Sequence, residues 1–180
     1  MSLQTRTGDR KGDREAHGSD LLQLVSFHLD NEEFGLEILK VQEIIRIQEL
    51  TRVPNSPDFV EGVLNLRGKV IPVVSLRKRF GLEPHDYDKD TRIVVTEVGG
   101  AIVGFVVDSV SEVLRISPET VEPAPRLGKV KQEFISGVGK LDNRLLILLN
   151  VERIMTEEET LELGGHPEFH TSVEIPALAQ

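Results

Sequence analysis

The stretch from Glu61 to Gly81, EGVLNLRGKVIPVVSLRKRFG, leaves the fewest ways to fold. One apolar run (Val63, Leu64, Leu66) enters Arg67-Gly68 and a second (Val70, Ile71, Val73, Val74) leaves it. Two β-rich runs joined across a glycine predict a tight hairpin, because glycine accepts the positive φ that such turns need. Ser75 then precedes LRKRF, and Gly81 follows. A serine cap, a basic turn and a glycine stop predict a short helix. Pro72 lies inside the second strand and has no N–H, so that strand should expose an edge or carry a bulge there.

The same punctuation continues on both sides. Val25, Phe27 and Leu29 alternate with Leu24, Ser26 and His28, and Glu33 to Ile38 returns after a turn, which predicts an N-terminal hairpin. Leu39 to Arg46 fits either a helical face or an irregular strand edge. With Ile45 and Leu39 facing the core, Val41 and Ile44 would be only partly covered, beside Glu43. Ser56-Pro57-Asp58 predicts a brief helix, with proline at the first helical position. Arg92 to Val98 and Ala101 to Asp108 flank Gly99-Gly100 as a second hairpin, and Val110 to Ile116 is a further strand. Ser117-Pro118-Glu119 opens a short helical turn. Phe134 to Val138 pairs with Leu145 to Leu149. Asn150 caps a C-terminal helix, which restarts at Thr156 if the capping-box spacing of Thr156 and Glu159 is used.

About ten short strands with no βαβ rhythm predict an all-β fold with a few short helices, arranged as small antiparallel barrels or a sandwich. The polar loop Glu83 to Asp90 is the natural boundary between two five-stranded units, the first at about 21–82 and the second at about 91–150, followed by the helix from about 151. Residues 1–20 have balanced charge and no large apolar cluster and read as a flexible tail; 165–180 reads as a loose one.

Bulk properties then remove classes of function. A net charge of −9 opposes nucleic acid or anionic lipid as the main partner. The chain has no cysteine, which excludes disulfides, thiolate metal sites and cysteine nucleophiles and fits the cytosol. No segment is long and apolar enough for membrane insertion, and the N-terminus has no signal-peptide core. His28 and His85 lack sequence partners that would form a relay. His166 and His170 have a spacing of four, but Pro167 breaks the helix that would align them, so no metal site is expected. Phosphate-binding and nucleophile-elbow motifs are missing, which leaves no cofactor site and no catalytic set. A binding module remains, and LKVQEII is the stretch whose apolar residues exceed one buried face.

KVQEI (Lys40–Ile44), Pro54 with Pro57, GVLNLRG (Gly62–Gly68), VIPVVSLR (Val70–Arg77), GFVVDSVSEVL (Gly104–Leu114), PAP (Pro123–Pro125) and RLLILLNVE (Arg144–Glu152) together resemble the CheW family of bacterial chemotaxis coupling proteins, in collinear order from about Leu21 to Glu159. The resemblance implies two five-stranded SH3-like barrels and a non-enzymatic adaptor. The implied partners are the cytoplasmic tip of methyl-accepting chemoreceptors and the regulatory domain of the histidine kinase CheA, in arrays at the inner face of the membrane. It further implies that Val41, Glu43, Ile44 and Val113 line the receptor-binding groove. Arg67, between Asn65 and Gly68 of the NLRG motif, resembles the family's functionally sensitive arginine, either touching a partner or holding the turn. Ser75 departs from the family's usual aspartate before Leu-Arg; both residues cap helices, but the serine brings no charge to that surface.

Overall fold

The computed structural model describes residues 20–126 and 130–162, so the tails expected at 1–20 and 165–180, with His17, His166 and His170, lie outside the described residues apart from Asp20. The strands are β1 (Leu22–Leu29), β2 (Glu32–Glu37), β3 (Val41–Arg46), β4 (Val60–Leu66), β5 (Lys69–Ser75), β6 (Arg92–Val98), β7 (Ala101–Val107), β8 (Ser109–Ile116), β9 (Val121–Glu122), β10 (Ile135–Lys140) and β11 (Leu145–Leu149). Three short helices, α1 (Leu76–Arg79), α2 (Val151–Ile154) and α3 (Glu157–Glu162), accompany them.

The strands form two sheets, ordered β8-β1-β2-β11-β10-β9 and β3-β6-β7-β5-β4. This is the expected all-β, two-subdomain architecture, with six and five strands. The division along the chain differs from the expected one. All five strands of the second sheet lie in the continuous segment Val41–Val107, whereas the first sheet is assembled from β1–β2 and β8–β11. One unit is therefore inserted within the other, and the boundaries 21–82 and 91–150 do not separate them. The polar loop at 83–90 connects α1 to β6 and marks no border between sheets. The physical reason is long-range pairing. The inner edge of β2 is satisfied by β11, with Phe34 opposite Ile147 and Gly35 opposite Leu148. That pair is parallel, as is β5–β7, and parallel pairs need long crossovers that no local sequence pattern reveals.

A principal core fills the space between the sheets, with Phe27, Phe34 and Leu36 on one side and Val94, Val103 and Phe105 on the other. Each sheet also encloses a smaller core: Leu64, Ile71, Val73, Ile93, Val95 and Val106 in one, and Leu24, Ile116, Leu146 and Leu148 in the other. Only seven phenylalanines are available, and four of them, Phe27, Phe34, Phe80 and Phe134, contact one another in a row with ring centroids 5.8, 5.8 and 5.5 Å apart, the middle pair tilted and the outer two stacked. Such offset contacts add about 0.5–1.5 kcal/mol each beyond burial. They join the N-terminal hairpin to α1 and to the turn before β10.

Several local expectations hold and two do not. Ser75 caps α1 by accepting from the Lys78 N–H at 3.3 Å. Asn150 caps α2, and α3 restarts at Thr156 with a reciprocal capping box, Glu159 N–H to Thr156 Oγ1 at 3.0 Å and Thr156 N–H to Glu159 Oε1 at 3.3 Å. Pro72 pairs with Val63 of β4, but β7 pairs with β5 only from Val73 onward, so Pro72 lies beyond that ladder. The helix expected at Ser56-Pro57-Asp58 is a turn instead. The Ser56 hydroxyl donates backward to the Val53 carbonyl at 2.8 Å rather than capping forward, and the Val60 N–H closes onto the Pro57 carbonyl. Leu39, which one reading of this stretch turned toward the core, is 93% exposed. It sits in a 3-10 turn, Ile38–Lys40, which resets the alternation before β3 begins.

Candidate functional site

The hairpin at Arg67-Gly68 is as tight as the sequence implies. β4 ends at Leu66 and β5 begins at Lys69, and both central residues have positive φ, 52° at Arg67 and 82° at Gly68. That is the pattern of a type I′ turn, whose twist matches the flanking strands. Asn65 Oδ1 accepts from the Gly68 N–H at 3.0 Å and braces the turn from inside. An arginine is an uncommon residue for a left-handed conformation, since its Cβ crowds the following carbonyl. Its side chain is nevertheless fixed: Arg67 Nη2 donates to Glu43 Oε1 at 2.6 Å. The turn residues Asn65, Arg67 and Gly68 thus join Glu43, from β3, in one cluster.

The five-stranded sheet brings Glu43 and Arg67 within reach by curling. β3 and β4 are its two outermost strands, and Thr51, beyond β3, bridges to Val63 of β4. Gly62 permits this closure. Its φ is +150°, beside a register shift in β4, and a Cβ there would lie 2.4 Å from the Thr51 carbonyl oxygen.

Along β3 the two faces have separate roles. Ile45 pairs in register with Ile93 and packs on the smaller core. Val41 is half-buried at the rim of the principal core. Ile44, opposite Val94, is 38% exposed. Glu43 is largely covered, with 27% of its side chain accessible, while the Arg67 side chain is 74% accessible. Val113 lies on β8, the outermost strand of the other sheet, opposite Val25 and 55% exposed. Val41, Glu43, Ile44 and Val113 therefore occupy two edge strands, one in each sheet, and Asn65, Arg67 and Gly68 the β4–β5 turn, with Glu43 and Arg67 in direct contact.

One polar centre escaped the sequence reading. Arg77, in α1, is buried, and its guanidinium is held on several sides. Nε donates to Asp108 Oδ1 at 2.7 Å, Nη2 donates to Asp108 Oδ2 at 2.6 Å and also to Asp30, and Nη1 donates to the Glu83 carbonyl at 2.6 Å. The Asp30 N–H donates to Asp108 Oδ2 at 2.8 Å. Burial acts to raise the Asp108 carboxyl, but the Arg77 hydrogen bonds, the Asp30 N–H and the nearby charges of Arg77 and His85 outweigh it and hold it below the usual range. The Arg77 pKa is raised, first by the Asp108 hydrogen bond. Asp30 opens the β1–β2 turn and Asp108 lies where the chain passes from β7 to β8, so Arg77 ties the two sheets together. A cleft of about 380 Å³ lies beside it, lined in part by Lys78, His85, Asp86 and Tyr87. Burial, followed by hydrogen bonding and charge from Glu61, pushes the Tyr87 hydroxyl well above its ordinary range. LRKRF reads locally as a basic turn, and the only hint in the sequence is an aspartate at each of two strand ends.

Two interlocked β sheets, an edge strand in each carrying an exposed aliphatic residue, and a charged turn define a β-barrel interaction domain of the adaptor type. The family model described as the CheW-like domain matches residues 23–159, and the chain belongs to this family. It is 42% identical to the chemotaxis protein CheW of Klebsiella aerogenes, covering 76% of this chain and 83% of that one. It is 36% identical to the chemotaxis protein CheW of Helicobacter pylori, covering 82% and 89%. The scaffolding protein TtCheW from Thermoanaerobacter tengcongensis superposes with a TM-score of 0.71 at 36% identity, covering 74% of this chain and 92% of that one. The chain is thus a non-enzymatic chemotaxis adaptor that couples chemoreceptors to the histidine kinase CheA. Among the described residues no helix is long and apolar enough to cross a membrane.

Proposed function

We propose that this chain docks the cytoplasmic hairpin tip of a methyl-accepting chemoreceptor on the surface formed by Val41, Glu43, Ile44 and Val113, and binds the regulatory domain of CheA elsewhere on its barrels. It does so in the cytoplasm, in arrays at the inner face of the membrane. The observation that carries this reading is an exposed Ile44 on an edge strand, next in sequence to Glu43, whose carboxylate Arg67 holds at 2.6 Å on the strand's other face. An amphipathic helix needs an apolar anchor for affinity, and a charge held in one place sets register and orientation. Val113, exposed on the other sheet's edge, is the second apolar anchor of this reading. Asn65 and Gly68 act through the turn, by holding Arg67 where it meets Glu43.

Ile44→Asp tests the reading. Ile44 is partly exposed, so the substitution should leave the melting temperature within a few degrees of the parent. Affinity for a chemoreceptor cytoplasmic fragment should fall at least tenfold, because a charge replaces a desolvated anchor. Unchanged affinity would remove Ile44 from the docking surface, and unfolding would make it part of the core.

A further inference from the structure

The end of β3 carries a feature that neither the fold nor the docking surface described above uses. Arg46 and Arg92 face each other in register across β3 and β6. Directly opposite residues point to the same face of a sheet, with Cβ atoms about 4.5–5.5 Å apart, and like charges in that position destabilise the pair. Among the described residues neither guanidinium meets a carboxylate. Arg92 is held from behind, its Nη1 donating to the carbonyls of Lys89 at 2.8 Å and Thr91 at 2.9 Å, which leaves its Nε and Nη2 groups with no hydrogen-bond partner among the described residues. Arg46 is exposed. Ile44 stands two residues before Arg46 on the same face, since Ile45 between them turns inward onto the smaller core.

We infer that Arg46 and Arg92 form a carboxylate-reading pair that continues the Ile44 surface. Its occupant is an amphipathic receptor helix with an acidic residue beside its apolar anchor. The inference rests on the receptor-docking reading and specifies the chemistry of that partner. A carboxylate between two arginine forks converts a repulsive pair into a charge-assisted one. Its attraction is spent on binding rather than on folding, because the monomer supplies no acid there. A protein carboxylate fits better than nucleic acid or anionic lipid: the chain's net charge of −9 repels a polyanion, and two arginines make a local positive site, not an extended basic footprint.

The test is the double reversal Arg46→Glu with Arg92→Glu, compared with wild type and Ile44→Asp. Binding is titrated against a chemoreceptor cytoplasmic fragment and against the CheA regulatory domain at several salt concentrations. The double variant should bind the fragment at least about tenfold more weakly and with a flatter salt dependence, and its affinity for the kinase domain should not change. If it fails to fold, Arg46→Gln with Arg92→Gln carries the same comparison. Unchanged fragment affinity, with Ile44→Asp still impaired, would overturn this inference and leave the docking reading standing. A wild-type chain that does not bind the fragment would overturn the docking reading itself. Equal losses toward both partners would assign the pair to general stability, and, in a parallel titration with vesicles containing phosphatidylserine, a loss confined to the vesicles would assign it to a lipid surface; either would overturn the proposal.

Discussion

Arg67 and Arg77 lie in one short stretch of sequence and do opposite things. The Arg67 side chain is 74% accessible, sits in a strained left-handed turn and meets one carboxylate. The Arg77 side chain is 9% accessible and meets Asp30, Asp108 and a backbone carbonyl from three parts of the chain. An exposed ion pair contributes about 0–1 kcal/mol, because water screens it and both side chains lose freedom. Removing one partner of a buried pair costs about 3–5 kcal/mol, because the remaining charge is stranded. Burial, rather than the arginine itself, decides which charge holds the fold and which is available to a partner.

The largest effect should come from Arg77→Ala, a loss of about 3–5 kcal/mol read as a fall in denaturant midpoint. A loss below 1 kcal/mol would erase the contrast with Arg67. Acid should act on the same centre. Because the folded pKa of Asp108 lies below its unfolded value, its carboxylate contributes stability that is fully present above about pH 3.9, the ordinary aspartate value, and is lost as pH falls through the depressed folded pKa. Asp108→Asn should therefore lower the melting temperature at neutral pH and flatten the acid limb of a melting series from pH 7 to 3; an acid limb unchanged from wild type would remove Asp108 from that role. Arg67→Ala should cost no more than about 1 kcal/mol yet reduce kinase activation in a reconstituted receptor array. A large melting loss with activation intact would reverse its assignment. Arg67→Gly should have the smallest effect on stability. Relief of a left-handed residue, worth about 1–2 kcal/mol, offsets the lost ion pair, so a clear fall in melting temperature would show that the turn is not strained.

Much of this molecule is written in local patterns. Alternating apolar runs and glycine turns locate nearly every strand, and Ser75, Asn150 and Thr156 mark helix starts because a cap acts within three residues. Ser56 shows where such a signal misleads, since its hydroxyl had an upstream carbonyl to bind instead. Partner choice between strands distant in sequence was not legible. β2 reads as one half of a hairpin, and nothing near Phe34 announces that Ile147 will complete its other edge. Arg77 was hidden for the same reason, because its burial depends on Asp30 and Asp108, both distant in sequence. In the candidate surface, Ile44 and Val113 were visible as surplus apolar residues or by family pattern. The Glu43–Arg67 contact was not, because it depends on the curl of the five-stranded sheet. Leu39 was misplaced by a single 3-10 turn, which is enough to reverse a period-two pattern.

The insertion of one sheet within the other also orders events during synthesis. The five-stranded unit contains all its strands between Val41 and Val107 and can pair them as soon as that segment leaves the ribosome. The β1–β2 hairpin is made first and finished last, because its outer partners are β8 and, nearly at the end of the folded chain, β11. Until then the edge of β2 and the apolar faces of Phe27, Phe34 and Leu36 have only part of their partners. An unpaired edge with exposed phenylalanines attracts other nascent chains. Synthesis of the segment from Ser109 to Leu149, rather than of Val41 to Val107, is therefore the interval in which this adaptor is most in need of a chaperone.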